Sequence, residues 1–203
     1  MNIITRVKNI LVTPKTEWDV IAAEEGSLTS VLTTYVLPLS LIGAAATLVG
    51  WGLIGKSYGA FGFSVTIKGW DIGIKYALIA LVSSVAGFII TSFVVDALAP
   101  SFGSQKNLGK SSQFVGYSFT PSLIGGIAAI LPSIAWLGAL LGLYGLYLMY
   151  LGLGPVKKTP DDKRVVYLIV SIVVLIGVYF VLGLVLASVF GLGSPGAGNV
   201  TVG

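Results

Sequence analysis

The sequence predicts an all-α fold: a polytopic transmembrane helical bundle of five spans, preceded by short amphipathic N-terminal helices. Three observations predict it. The 203 residues are 55% apolar and only 10% charged, with a mean hydropathy of +0.95, well outside the range of a soluble globular domain. The apolar residues fall into runs at roughly 31–55, 74–98, 114–131, 134–153 and 165–190. Each run approaches or exceeds the roughly 20 residues a helix needs to cross a hydrocarbon core about 30 Å thick. The basic residues gather in the short segments between these runs. An open sheet is excluded, because unpaired backbone groups cost several kcal/mol each in lipid.

Residues 1–30 form a cytoplasmic amphipathic segment. No apolar stretch of the signal-peptide kind follows the first basic residues. Ile3, Ile4, Val7, Ile10 and Leu11 recur at helical spacing with Arg6 and Lys8 between them, which predicts a short helix lying on the membrane surface. Thr13-Pro14 reads as the start of a second helix. In that helix Trp18, Ile21 and Ala22 form the apolar face, with Glu17, Asp19, Glu24 and Glu25 mostly off it.

Residues 31–190 form the transmembrane domain. Pro38 in the first run and Pro121 in the third each remove a backbone hydrogen bond, freeing the carbonyls of Thr34 and Tyr117. Hydroxyls of Thr33, Thr34, Ser118 and Thr120 stand close enough to replace those bonds. The third run is the shortest and the most polar, and Leu131-Pro132-Ser133 joins it to the fourth in a tight antiparallel hairpin. Small residues recur four apart (Gly43/Thr47, Ser83/Gly87, Gly125/Ala129, Gly138/Gly142, Gly183/Ala187), which lets helices approach closely. Packing within the chain is the preferred reading of these pairs, and oligomerisation through the same faces is the alternative.

Orientation is read from the stretch Leu140–Arg164. There an apolar run carrying Tyr144, Tyr147 and Tyr150 ends in Gly154-Pro155 and then Lys157, Lys158, Lys163 and Arg164. With the N-terminus inside, nine basic residues (Arg6, Lys8, Lys15, Lys106, Lys110, Lys157, Lys158, Lys163, Arg164) are cytoplasmic, and Lys56, Lys68 and Lys75 are outside. The positive-inside bias therefore predicts a cytoplasmic N-terminus and places 191–203, a Gly-rich tail, outside.

Function is less legible. With no Cys and no His, thiolate chemistry, ordinary zinc sites and histidine acid–base catalysis are excluded. No catalytic residue, cofactor or metal ligand is predicted. All eight acidic residues lie outside the runs or at their ends, whereas ion-coupled pumps keep an ionisable group at membrane depth. Asp96, near the end of the second run, is expected to be an interfacial carboxylate paired with a basic residue, Lys106 and Lys110 being a loop away. Gly191–Gly196 fits G-x-G-x-x-G without the strand and helix that a dinucleotide site requires. Asn199-Val200-Thr201 fits a glycosylation acceptor and bears only on a source that glycosylates exported chains. The net charge of +4 points to lipid headgroups rather than nucleic acid, because the basic residues lie in inter-span loops.

Gly116-Tyr117-Ser118-Phe119-Thr120-Pro121 resembles the G-Y-x-x-x-P motif that opens the third span of the Ypt-interacting (Yip) domain family. Tyr144 to Gly152, followed by Lys158-Thr159-Pro160-Asp161-Asp162-Lys163, looks like the fourth-span ending and loop of its bacterial members, and Pro14, Trp18 and Ile21 fit as well. The resemblance implies a five-span helical membrane domain. It marks Pro38, Asp96, Gly116, Tyr117, Pro121, Tyr147, Tyr150 and Gly152 as motif residues with structural or partner-binding roles. Eukaryotic members are associated with Rab-type GTPases and with Golgi and ER trafficking. The D-L-Y-G-P motif of that branch is absent here, and only about thirty residues precede the first span, so GTPase binding is not expected to carry over. The resulting expectation is a non-enzymatic scaffold or membrane-organising factor of a bacterial plasma membrane, meeting lipid or a protein partner at its cytoplasmic face. The alternative is a transporter or channel for a small or lipidic solute, built on the Pro-containing first and third spans.

Overall fold

Helix lengths are set by what each segment must cover. The computed structural model describes residues 2–60, 63–134, 136–190 and 199–202. Helices α1 (Ile3–Val12) and α2 (Pro14–Ala23) form a hairpin with Pro14 in the first turn of α2, where no backbone donor is needed. Thr13 does not cap α2 through its side chain; its hydroxyl donates back to the Asn9 carbonyl at 3.2 Å.

Among the described residues, four helices are long and apolar enough to cross a membrane: Leu28–Ile54, Trp70–Phe102, Pro132–Leu153 and Asp161–Phe190. The first contains α3 (Leu28–Val31) and α4 (Leu37–Val49), each followed by a wider π-helical turn, Leu32–Val36 and Gly50–Ile54. Helix α5 is Trp70–Leu98, extended by a 3-10 turn to Phe102. The third apolar run differs from a continuous span. Helix α6 (Leu108–Ser118) stops before α7 (Thr120–Gly125), and a 3-10 segment continues to Ile130, so that Thr120–Ile130 is a shorter apolar helix. Pro121 is the reason, since it can sit in the first turn of a new helix but not inside an old one. Helices α8 (Trp136–Leu153) and α9 (Asp161–Phe190) complete the bundle.

The two prolines are accommodated differently from each other. At Pro121 the expectation holds: the Thr120 hydroxyl donates to the freed Tyr117 carbonyl at 2.6 Å. At Pro38 it does not, because Thr33 and Thr34 donate to Thr29 and Ser30 carbonyls at 2.8 and 2.7 Å. There the backbone itself adapts, with the Leu37 N–H reaching Leu32 across the π turn.

A small antiparallel sheet is added at the far end of the bundle from α1 and α2. Strands β1 (Lys56–Ala60) and β2 (Phe63–Lys68) form a hairpin pairing Lys56 with Ile67, and β3 (Asn199–Val202) pairs with β2, Val65 opposite Val202. The segment between the first two long helices and the C-terminal tail therefore meet at one end. The Pro132–Ile134 turn contacts β1 there, so the third run extends along the bundle from the Asn107 end to the sheet end. The Gly191–Gly196 match lies outside the described residues.

Close helix contacts use the small residues. A Cβ on Gly138 would stand 3.1 Å from the Gly125 carbonyl oxygen, and one on Gly43 would stand 3.6 Å from Gly126 Cα. A Cβ on Gly183 in α9 would meet nothing within 4 Å. Gly138→Leu should therefore push α8 off α7 and lower stability by about 1–3 kcal/mol. Gly183→Leu should leave it unchanged. Thermal melting of the detergent-solubilised variants checks both, and equal melting temperatures would disprove the assigned packing.

Candidate functional site

Polar chemistry concentrates where the N-terminal hairpin meets α6 and the loops at that end. Arg6 recurs at helical spacing with Ile3 and Ile10 and so faces inward, only 4% exposed. It donates to Glu17 at 2.6 Å and to Glu24 at 2.5 Å, while Asn9 donates to the second Glu17 oxygen at 3.0 Å. Burial lowers the Arg6 pKa, but the Glu24 hydrogen bond and the neighbouring negative charges leave it raised above its ordinary value. Its guanidinium lies over the Tyr117 ring, 5.0 Å from the centroid. The expected amphipathic surface helix is thus docked on protein: Ile10 is buried, Ile3, Val7 and Leu11 pack against the core, and Ile4 stays exposed.

The motif residues fall into this junction unevenly. Gly116 admits Phe88 and Val36, whose atoms a Cβ would meet at 3.2 and 3.5 Å. Tyr117 packs edge-on against Tyr35 at 4.8 Å, and the Tyr35 hydroxyl bonds Thr120 Oγ1 at 2.7 Å. Gly152 is the notch in α8 that receives Trp18 and Phe114, whose rings a Cβ would meet at 2.9 and 3.0 Å. The Tyr144 hydroxyl donates to the Leu11 carbonyl at 2.9 Å, tying α8 to α1. Tyr147 and Tyr150 are exposed, the Tyr147 ring centroid lying 5.6 Å from that of Tyr144. Pro38 opens α4, and Pro121 opens α7.

Asp96 finds a different partner from the two lysines expected. Its Oδ1 accepts from the Asn107 N–H at 2.8 Å and the Ser111 hydroxyl at 2.9 Å, and the Lys157 ammonium lies 3.6 Å away. Lys157 is wholly buried; it donates to Ser111 Oγ at 2.5 Å and to the Gln105 carbonyl at 2.7 Å. Lys110 instead donates to the Ala22 and Glu24 carbonyls at 2.8 and 2.6 Å, closing the end of α2. The Ser111–Lys157 pair has the composition of a hydrolytic dyad, but both residues are fully buried and the Ser111 proton is committed to Asp96. What this arrangement can do is hold the loop after α5, the start of α6 and the α8–α9 loop together.

The chain matches the family model of the Yip1 domain over residues 8–185. It belongs to the Yip1 domain family. Inner membrane protein YohC of Escherichia coli K12 is 29% identical over 145 residues, which cover 69% of this chain and 72% of that one, and YohC of the O6:H1 strain matches equally. No solved structure matches. In this Yip1-domain chain the matched region takes in both ionic clusters except Arg6, which precedes it. Sequence reasoning missed Arg6, Glu17, Ser111 and Lys157. Arg6 alone carried a signal, its place in the apolar register.

Burial pushes the Lys157 ammonium down from its ordinary 10.5 to about 8, with the Asp96 charge opposing the drop. Across that window the unfolded chain keeps the proton while the folded chain releases it, so stability should rise with pH between about 8 and 10.5. Lys157→Met abolishes this titration. It should cost about 3–5 kcal/mol at neutral pH by stranding Asp96. The wild-type advantage over the variant should widen as pH rises through the window. Unfolding measured at several pH values checks this, and a flat difference would show that Lys157 stays charged.

Proposed function

We propose that this protein is a non-enzymatic scaffold of a bacterial inner membrane. It crosses the bilayer five times, with its N-terminus cytoplasmic, and offers the outer face of the α1–α2 hairpin to lipid or a protein partner. One observation carries the reading. The buried charged side chains are locked in ion pairs at one end, while Ser40, Thr47, Ser83, Ser84 and Ser122 line adjoining cavities that hold no charged residue. Ser40, Thr47 and Ser84 line a cavity of about 150 Å³ with Ser122. Thr34 lines a separate cleft beside Arg6, and Thr91 lies 3.4 Å from the Tyr179 hydroxyl. A scaffold needs a rigid platform with an accessible face, and the hairpin supplies one. Ile4, Val12 and Val20 are exposed on it beside the exposed Lys8 and Lys15, a composition suited to anionic headgroups. The relatives' description as inner membrane proteins supports the setting.

One observation favours the transporter alternative: the Ser40 hydroxyl is buried and has no hydrogen-bond partner among the described residues. Ser40→Ala separates the two readings. For a scaffold it removes an unsatisfied group and should hold or raise the melting temperature, by up to about 1–3 kcal/mol of stability. For a transporter it should abolish solute flux in proteoliposomes without unfolding the protein. Topology is tested by single-cysteine labelling, simple in a chain with no native Cys. A thiol at Ser57 should react from outside and one at Lys158 from the cytoplasm, and the opposite pattern would reverse the assigned orientation.

A further inference from the structure

Between the α1–α2 hairpin, the start of the first long helix and α6 lies a cleft of about 470 Å³, a size common for small-ligand sites. Arg6, Glu24, Glu25, Tyr35, Gln113 and Tyr117 line it. Its positive charge is already engaged, since the Arg6 donors go to Glu17 and Glu24. What remains is acceptor capacity. Glu25 is exposed and makes no ion pair among the described residues. Gln113 is 2% exposed; its amide nitrogen donates to the Glu24 carbonyl at 3.3 Å, and its amide oxygen has no partner among the described residues. A buried oxygen left without a donor costs about 1–3 kcal/mol, so the cleft lacks a donor that the described residues do not provide.

We propose that this cleft binds a primary ammonium group, either the headgroup amine of a phospholipid in the adjacent leaflet or a free amine of the same chemistry. The Glu25 carboxylate and the Gln113 oxygen, with the lone pairs that Arg6 leaves free on Glu24, match the three N–H groups of an ammonium, and bonds from a charged donor are the stronger kind. An anionic headgroup fits poorly, because it would face two carboxylates while the Arg6 charge is already paired with Glu17 and Glu24. The inference needs only the membrane setting and is independent of the choice between scaffold and transporter.

The test uses the full chain in nanodiscs containing equal phosphatidylethanolamine and phosphatidylglycerol. Lipid retained through detergent washing is counted by native mass spectrometry. Wild type should keep phosphatidylethanolamine roughly tenfold over phosphatidylglycerol, the ratio that loss of one charge-assisted contact would erase. Glu25→Gln, at an exposed position that does not threaten folding, should bring the two lipids close to parity. Asp19→Asn, an exposed carboxylate outside the cleft, should change nothing. Soluble ethanolamine is then added: displacement of the retained lipid assigns the site to free amines as well, and retention assigns it to the lipid headgroup, the ammonium chemistry standing in both cases. Equal retention of the two lipids by wild type, or a Glu25→Gln variant that keeps the full preference, overturns the proposal.

Discussion

A lysine ammonium with no exposure must be met by charge and by hydrogen-bond acceptors, and Lys157 organises this chain around that need. Its partners come from places distant in sequence: Asp96 at the end of α5, the Gln105 carbonyl in the following loop and Ser111 in α6. Around the same point the Gln105 N–H donates to the Lys157 carbonyl at 2.8 Å, and Ser104 bonds Thr159 at 2.7 Å. Two loops that could have been independent therefore form one unit. An ion pair of this kind adds little net stability compared with a well-packed apolar substitute, yet breaking it strands a charge. Its effect is to fix which loop meets which.

The N-terminal hairpin is held by the same logic one layer further out. Arg6 brings Glu17 and Glu24 together, and Lys110 closes the carbonyl end of α2. Trp18 enters the notch at Gly152 beside Phe114, their ring centroids 6.1 Å apart. Apolar burial supplies the drive and the ion pairs supply the register. The result leaves one hairpin face for the exterior and a polar cleft beneath it.

Toward the other end the chain relies on close backbone approach. In lipid there is no hydrophobic drive between helices, so van der Waals packing at glycines takes its place. Helix α9 departs from this pattern: it contacts α5, α8 and the turn after α5, and most of its large side chains are exposed. The β2–β3 pairing joins the tail that follows α9 to the first hairpin, so this peripheral helix is secured at the sheet end as well.

Composition, run length and periodicity determined by themselves that this is an all-α membrane protein, because apolar burial in lipid is a local property of each segment. Gly116, Tyr117 and Gly152 were marked by the family resemblance alone, and what packs against them was decided by the tertiary structure. The strands were missed because a short polar-flanked hairpin such as Lys56–Lys68 carries little signal beside long apolar runs. The choice of Lys157 over Lys106 or Lys110 for Asp96, the inward turn of Arg6 and the cleft beside Gln113 were decided only by tertiary structure. A buried charge takes whichever partner the folded loops bring within reach, and sequence separation says nothing about that distance.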